Sequence, residues 1–460
     1  MTTYYVDWEK ADDSGNGLTL ATAKKTLNGA EDIPVAAGDH VWVRPGVYRE
    51  TLTVDVSGSS GNPITYQGDV AGQIWHPGGV VRITGSDNDQ TVVRELGIDA
   101  TSKSYRVFSG FHFDAINSRA INVIGNGNTG WIIEDISITN TNSGILFSNE
   151  LSNTIIRRAI ILRLSGVGIN FFTLSAPIET TGVVVENCII SSHIWEPAIE
   201  MDKISGILVK NCFLFGCDIG LLIGNNLGEG QSNFIYNCVI AKTGAGLYAQ
   251  VLGEIVEDYN VLYNNDNDRI NVSTGTNSIS HQLLTEPQIL YPGHHIGYST
   301  ELLSRNSSVA RRTDNGDAPT DDFYGMTRPV TNGKRSWGPI QFTGAVRDTT
   351  ITDGSGASLK LPDAGEQFFM RVPTAGTQMT ISLKVYREVD YAGTLPQLIV
   401  RQPGQADETD TDTGNAEEFN TLSVTISPAT LPPWIDVFIR SNNTASSGNF
   451  STYWDTLTVS

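Results

Sequence analysis

Glu200 and Asp202 stand two residues apart in the run Ala-Ile-Glu-Met-Asp. Side chains alternate along a strand, so one that buries Ile199 and Met201 presents both acids on its other face, with Cα atoms roughly 7 Å apart. Two carboxyls at this separation can divide acid and base work, one holding a proton while the other is ionised. Just upstream, residues 191–197 carry His193, Trp195 and Glu196, which add an imidazole, a flat aromatic surface and a third carboxylate.

The element that holds this strand is legible as a repeat. Asparagine recurs in Val-Glu-Asn-Cys at 185–188, Val-Lys-Asn-Cys at 209–212, Ile-Tyr-Asn-Cys at 235–238 and Asp-Tyr-Asn-Val at 258–261, at intervals of 24, 26 and 23 residues. An apolar file keeps the same rhythm through Ile121, Ile145, Ile169, Ile199, Leu221, Leu247 and Ile270. Such a period marks a solenoid whose turns bury their apolar edges only against one another. Leucine-rich repeats share the period, but residues 206–226 hold three short β-type runs separated by turn residues, with no room for a helix. The pattern predicts an all-β parallel β-helix with like residues stacked at about 4.8 Å. Asparagine amides then bond along the stack, and Ile136, Ala159, Cys188, Cys212, Cys238 and Val261 form one internal file, the cysteines acting as small apolar groups. The turn containing Ile169 is the longest, at 30 residues, with its excess in 173–180 and 191–197. Asn170 and Phe172 are expected one turn below the acid pair and Tyr248 two turns above it. Lys203 should point inward unless the strand ends there.

Residues 18–30 read as an amino-terminal helix with Leu20, Ala23, Leu27 and Ala30 on one face and Thr19 or Thr22 as cap, a lid for the open end of the coil. There follow Gly38-Asp39-His40-Val41-Trp42-Val43-Arg44-Pro45-Gly46-Val47-Tyr48-Arg49-Glu50 and Ser57-Gly58-Ser59-Ser60-Gly61-Asn62-Pro63-Ile64-Thr65-Tyr66. Through these runs the chain resembles the pectin-lyase-like superfamily of right-handed parallel β-helix proteins, its polysaccharide lyases and phage tailspikes in particular. The resemblance covers residues 1 to about 342, with 322–329 and 337–340 similar to the closing segment of such helices.

That resemblance implies a working surface on the outer face of a parallel sheet, a polysaccharide as substrate and, for a tailspike-like protein, a homotrimer carried on a virion. The residues of this chain expected on such a surface are Glu200, Asp202, Glu196 and His193 as candidate catalytic groups and Trp195, Asn170, Phe172 and Tyr248 as candidate substrate-binding ones. A polygalacturonase would show adjacent aspartates and Gly-His-Gly. Asp12-Asp13 and Asp321-Asp322 lie outside the central turns, and Gly293-His294-His295 does not match. Lys203 or His193 could serve as the base of a β-elimination lyase, yet neither lies in a lyase pattern. The opposing reading is a structural fibre or decoration protein without catalysis.

Acidic residues outnumber basic ones by 50 to 30, giving a net charge of -20. That balance argues against nucleic acid or an anionic membrane as partner. No apolar run approaches the roughly 20 residues of a membrane span. The opening Met-Thr-Thr-Tyr-Tyr-Val-Asp-Trp has no secretory leader, so the expectation is a leader already removed or release without one, as on a virus particle. Four cysteines make neither a disulfide framework nor a zinc pattern. His294 with His295, and residues 264–268, read as polar turns and not metal sites.

Around residue 343 the period stops. Short strands at 368–373, 379–387, 397–401, 421–426, 434–440 and 453–459 predict a carboxy-terminal β-sandwich over 343–460, similar to carbohydrate-binding jelly rolls. Its acidic loop, with Asp407, Glu408, Asp410, Asp412, Glu417 and Glu418, is a candidate for Ca2+. Gly414 is misplaced for an EF-hand, and a solvated turn is the simpler reading.

Overall fold

A computed structural model describes residues 1–280 except 77, 90, 163, 175–176, 193–194, 225–231, 242, 264 and 277. Beyond 280 it describes 289–290, 302–303, 346–348, 358–361, 365–373, 379–389, 391, 393–401, 408–426, 434–443 and 452–459. The chain divides into two units, one formed mainly by Met1–Val70 and Val80–Thr285, the other mainly by Phe342–Ser460.

The first unit is a parallel β-helix with three sheets of 12, 9 and 10 strands. Successive turns add one strand to each sheet. In the nine-stranded sheet Ile121 pairs with Ile145, Ile145 with Ile169, Ile169 with Ile199, Ile199 with Leu221 and Leu221 with Leu247. All six are buried. Each such side chain contributes about 1.5–3 kcal/mol by leaving water.

The corner between the twelve- and ten-stranded sheets is made by a single left-handed residue. Asn187, Asn211 and Asn237 have φ of 54°, 52° and 57°, and they are fully buried. Asparagine tolerates this region better than other residues with a Cβ, which accounts for its recurrence. Asp135 and Arg158 take the same conformation at the same corner in earlier turns.

Two files differ from expectation by one residue, because the turns after Tyr236 and Leu247 are shorter than the motif implies. Tyr236 pairs with Asp258 and Val239 with Val261, so Asn260 follows the cysteine file and Val261 does not. Asn260 Oδ1 accepts from the Cys238 backbone N–H at 2.9 Å. Likewise Leu247 pairs with Arg269, and Ile270 lies beside Tyr248.

The expected helix over 18–30 shrinks to Leu27–Glu31. Thr19 and Thr22 bond each other, and Thr22 also bonds Asn16, which holds the preceding segment in turns. The cap is Thr26, whose side chain accepts from the Gly29 N–H. Glu31, the last helical residue, is buried against Arg106, accepts from Tyr66 Oη at 2.6 Å and from the Asp55 N–H at 3.0 Å. Toward the other end, Glu257 occupies the position above Ile235 and accepts from Arg269 Nε at 2.8 Å, Asn260 Nδ2 at 2.9 Å and the Gly275 N–H at 2.7 Å. Among the described residues a Glu–Arg pair thus stands toward either end of the apolar interior.

Cys188, Cys212, Cys217 and Cys238 are free and buried, and burial pushes the thiols of Cys188, Cys212 and Cys217 up, Cys217 to about 12. Thiols held protonated and away from solvent do not react. A chromogenic disulfide reagent is expected to titrate no thiol in the native protein and four in denaturant; prompt native reaction would contradict the packing.

Within Phe342–Ser460 the described residues form two antiparallel sheets. One orders Val346–Asp348, Ser358–Leu361, Thr452–Val459, Met379–Arg387 and Phe419–Ile426; the other orders Gly365–Pro373, Trp434–Asn443, Gly393–Arg401 and Glu408–Thr411. The buried cluster there draws on both sheets, with Ile381, Val385, Leu422 and Trp454 from the first and Leu398, Val400, Val437 and Ile439 from the second. In the acidic loop, Asp412 bonds Arg387 Nε at 2.9 Å and the Gly414 N–H at 3.0 Å. Asp410 accepts from the N–H groups of Thr411 and Ser423. These two carboxylates serve neighbouring backbone N–H groups and the Arg387 guanidinium. Asp407 lies outside the described residues, as do His193, His294, His295 and the segments 322–329 and 337–340. Among the described residues no group of three or more His, Cys, Asp or Glu is arranged to hold a metal, and no helix is long and apolar enough to cross a membrane.

Candidate functional site

The strand Pro197–Asp202 lies in the nine-stranded sheet with Ile199 and Met201 fully buried and Glu200 and Asp202 half-buried on the outward face. Asn170 pairs with Glu200 and Phe172 with Asp202, one turn below. Above Glu200 the file continues through Leu222 to Tyr248. At the sheet spacing, Tyr248 stands roughly 10 Å from Glu200 along the axis.

Asn170 Nδ2 donates to Glu200 Oε2 at 2.9 Å. The same pairing recurs lower on this face, where Asn122 Nδ2 donates to Asp99 Oδ1 at 2.7 Å. Burial pushes the Glu200 carboxyl up from its ordinary value, and the charges of Asp202 and Glu196 push it further. Glu200 therefore senses both neighbouring carboxylates, which favours its protonated form.

Trp195 stands two residues before this strand and is 73% exposed, so its indole packs on no core. Leu174, which follows the strand Ile169–Phe172, is 81% exposed. Apolar side chains thus stand free at the entry of one strand and the exit of its neighbour. Part of the expected 173–180 loop is strand: Ile178–Glu186 pairs Ile178 with Ile204 and then shifts register between Glu179 and Val183.

Lys203 does not point inward. The strand ends at Asp202, and Lys203 forms the left-handed turn that follows, with φ of 58°. Among the described residues Lys203 has no ion-pair partner.

The sequence reading sets Glu200, Asp202, Glu196, Asn170, Phe172, Tyr248 and Trp195 in one region; in the structure Asn170 and Phe172 lie one turn below the acid pair and Tyr248 two turns above Glu200, with Leu222 between them. It missed Leu222, Gly224 and the Asp99–Asn122 pair. The signal for Gly224 was available: with Leu221 opposite Ile199, counting onward sets Gly224 opposite Asp202.

No known family profile and no curated protein sequence matches the chain. Among solved structures it is similar to a rhamnogalacturonan lyase, at 19% identity and a TM-score of 0.44 over 57% of this chain and 74% of that one. It is also similar to a lacto-N-biosidase from Eubacterium ramulus, at 11% identity and 0.40 over 61% and 68%. An alginate lyase from Paenibacillus sp. gives 15% identity and 0.34 over 55% and 94%. The class is established by the register of the three sheets themselves: the chain is a parallel β-helix of the kind the sequence resemblance implied, with a cluster of carboxyls on one outer sheet face.

Proposed function

We propose that the outward face of the nine-stranded sheet binds a polysaccharide and that Glu200 and Asp202 hydrolyse a glycosidic bond in it. The observation that carries this reading is the Glu200 carboxyl, half-buried on an open sheet face, tethered through one oxygen to Asn170 and crowded by two further carboxyls. Burial and like charge favour the protonated form of such an acid, the form that can donate to a leaving oxygen. Glu200 gives its proton to the glycosidic oxygen as the bond to the anomeric carbon breaks. The Asp202 carboxylate then either draws a proton from the attacking water or forms the bond to that carbon itself, and water completes the cleavage. Trp195, Phe172 and Tyr248 offer flat apolar surfaces for sugar rings.

The test is incubation with a panel of neutral and acidic polysaccharides, reading reducing ends for hydrolysis and absorbance near 235 nm for the unsaturated ends a lyase would leave. Reducing ends without unsaturation, lost in Asp202→Asn, are expected. No product of either kind and no signal on a glycan array would favour a purely structural rod. Unsaturated product would instead point to β-elimination, with Lys203 beside Asp202 as the base to examine.

In the same reading the two antiparallel sheets of residues 343–460 form a jelly-roll-like β-sandwich that binds glycan. The protein works outside the cell or on a virion as a homotrimer, as the resemblance to tailspikes implies. Sedimentation equilibrium at the mass of one chain would remove the trimer from this proposal.

A further inference from the structure

We infer that Gly224 leaves open the space in which the scissile oxygen of the glycan is held, and that the catalytic proton is carried on Glu200 Oε1. The inference rests on the hydrolase reading above and adds to it a specific place for the reacting atom.

Gly224 follows the strand Ile219–Ile223, one turn above the acid pair, and its N–H donates to the Met201 carbonyl at 2.9 Å. Ile223 pairs with Met201 and faces the interior, so a side chain at 224 would face outward above Asp202. A Cβ there would lie 3.6 Å from Glu200 Oε1, 3.7 Å from Asp202 Oδ1 and 3.7 Å from Asp202 Cβ. One oxygen of each acid therefore converges on the volume that the missing side chain leaves.

The hydrogen bonding of Glu200 decides which oxygen is free to give a proton. Oε2 accepts from Asn170 Nδ2 and is held as an acceptor. Oε1 makes no hydrogen bond among the described residues and lies toward Gly224. An acid whose one oxygen already accepts a donor keeps its proton on the other. The donating oxygen and the second carboxyl then both border the position that a Cβ at residue 224 would take. Asn170 acts through Glu200 and is a positioning residue.

The backbone at Gly224 does not require glycine, since its φ lies outside the left-handed region. The predicted Cβ contacts of 3.6–3.7 Å are ordinary van der Waals distances. Gly224→Ala should therefore fold as the native chain does, and Gly224→Val adds two methyl groups to the same volume.

The experiment compares the native 460-residue chain, Gly224→Ala, Gly224→Val and Glu200→Gln on the member of the neutral and acidic polysaccharide panel that the native chain cleaves, with thermal melting of each; a native chain that cleaves no member of the panel would overturn the placement together with the hydrolase reading. Displacement of a reacting atom by about 1 Å lowers rates on the order of 100-fold. Gly224→Val is expected to lose at least that much with an unchanged melting transition, and Gly224→Ala to lose about tenfold. If Gly224→Val does not fold, Gly224→Ala decides alone. Asn170→Ala should move the alkaline limb of the pH profile upward, because the ionised form of Glu200 loses a donor. Folded Gly224 variants with native rates, beside an inactive Glu200→Gln, would overturn the placement while leaving the hydrolase reading intact. A Glu200→Gln protein as active as the native one would overturn both.

Discussion

Glu200→Gln is expected to lower the rate of glycan cleavage by ~10²–10⁴, the usual contribution of a positioned general acid. At the same time it should make the protein more stable at neutral pH. The amide keeps the shape of the carboxyl and can still receive the Asn170 N–H, but it cannot ionise. In the native chain the carboxyl is pushed up by burial and by Asp202 and Glu196, so the folded state holds its proton to higher pH than the unfolded state does. Stability contributed by that proton is present in full below the ordinary Glu value of about 4.3 and is lost as pH rises through the raised folded value. Above that window the native protein carries a charge the fold disfavours, and Glu200→Gln removes it. Melting temperatures of the two proteins, measured from pH 4 to pH 8, should diverge as pH rises, with the variant higher. The alkaline limb of kcat/KM should fall above the ordinary carboxylate range and belong to Glu200. A variant that loses stability at neutral pH, or a pair of melting curves that stay parallel, would show that Glu200 is an ordinary surface acid.

Removing Glu31 is expected to produce the largest loss of stability. Arg106 is fully buried, and its guanidinium lies between Glu31, the Val56 carbonyl at 2.9 Å and the faces of Tyr66 and Phe108. Glu31→Ala leaves that cation inside the coil without its partner and should cost about 3–5 kcal/mol. Replacing both partners with apolar residues, as in Glu31→Leu with Arg106→Met, should cost much less, since desolvation is then avoided for both. The loss should show as faster amide exchange in the turns before residue 110, because a solenoid is coupled chiefly between neighbouring turns. Equal losses in the single and double variants would mean that the pair is not the element holding the short helix to the first turns.

Much of this architecture follows from particular residues. Ile121 to Leu247 share one internal file because a buried position in one turn must be buried in the next. Asn187, Asn211 and Asn237 recur because the corner bends at one left-handed residue. Alternation alone sets Glu200 and Asp202 outward once Ile199 and Met201 are inside. The helix over 18–30 was misread because local apolar spacing says nothing of Asp13, whose carboxylate accepts from the N–H groups of Lys25 and Thr26 and delays the helix to residue 27. Asn260 and Ile270 were misplaced because motif spacing cannot detect a turn shortened by one residue; the register of the neighbouring strands does.

Period and alternation are local properties of a stacked backbone, and from them alone it is legible that the chain coils, which side chains face inward and which strand carries the acids. The folded chain alone reveals that Glu200 is tethered through one oxygen and crowded by Asp202 and Glu196, that Lys203 turns away from the interior and that Gly224 lies beside both acids. Those facts depend on distances between residues of different turns, where burial, charge and the absence of a single Cβ act together through space.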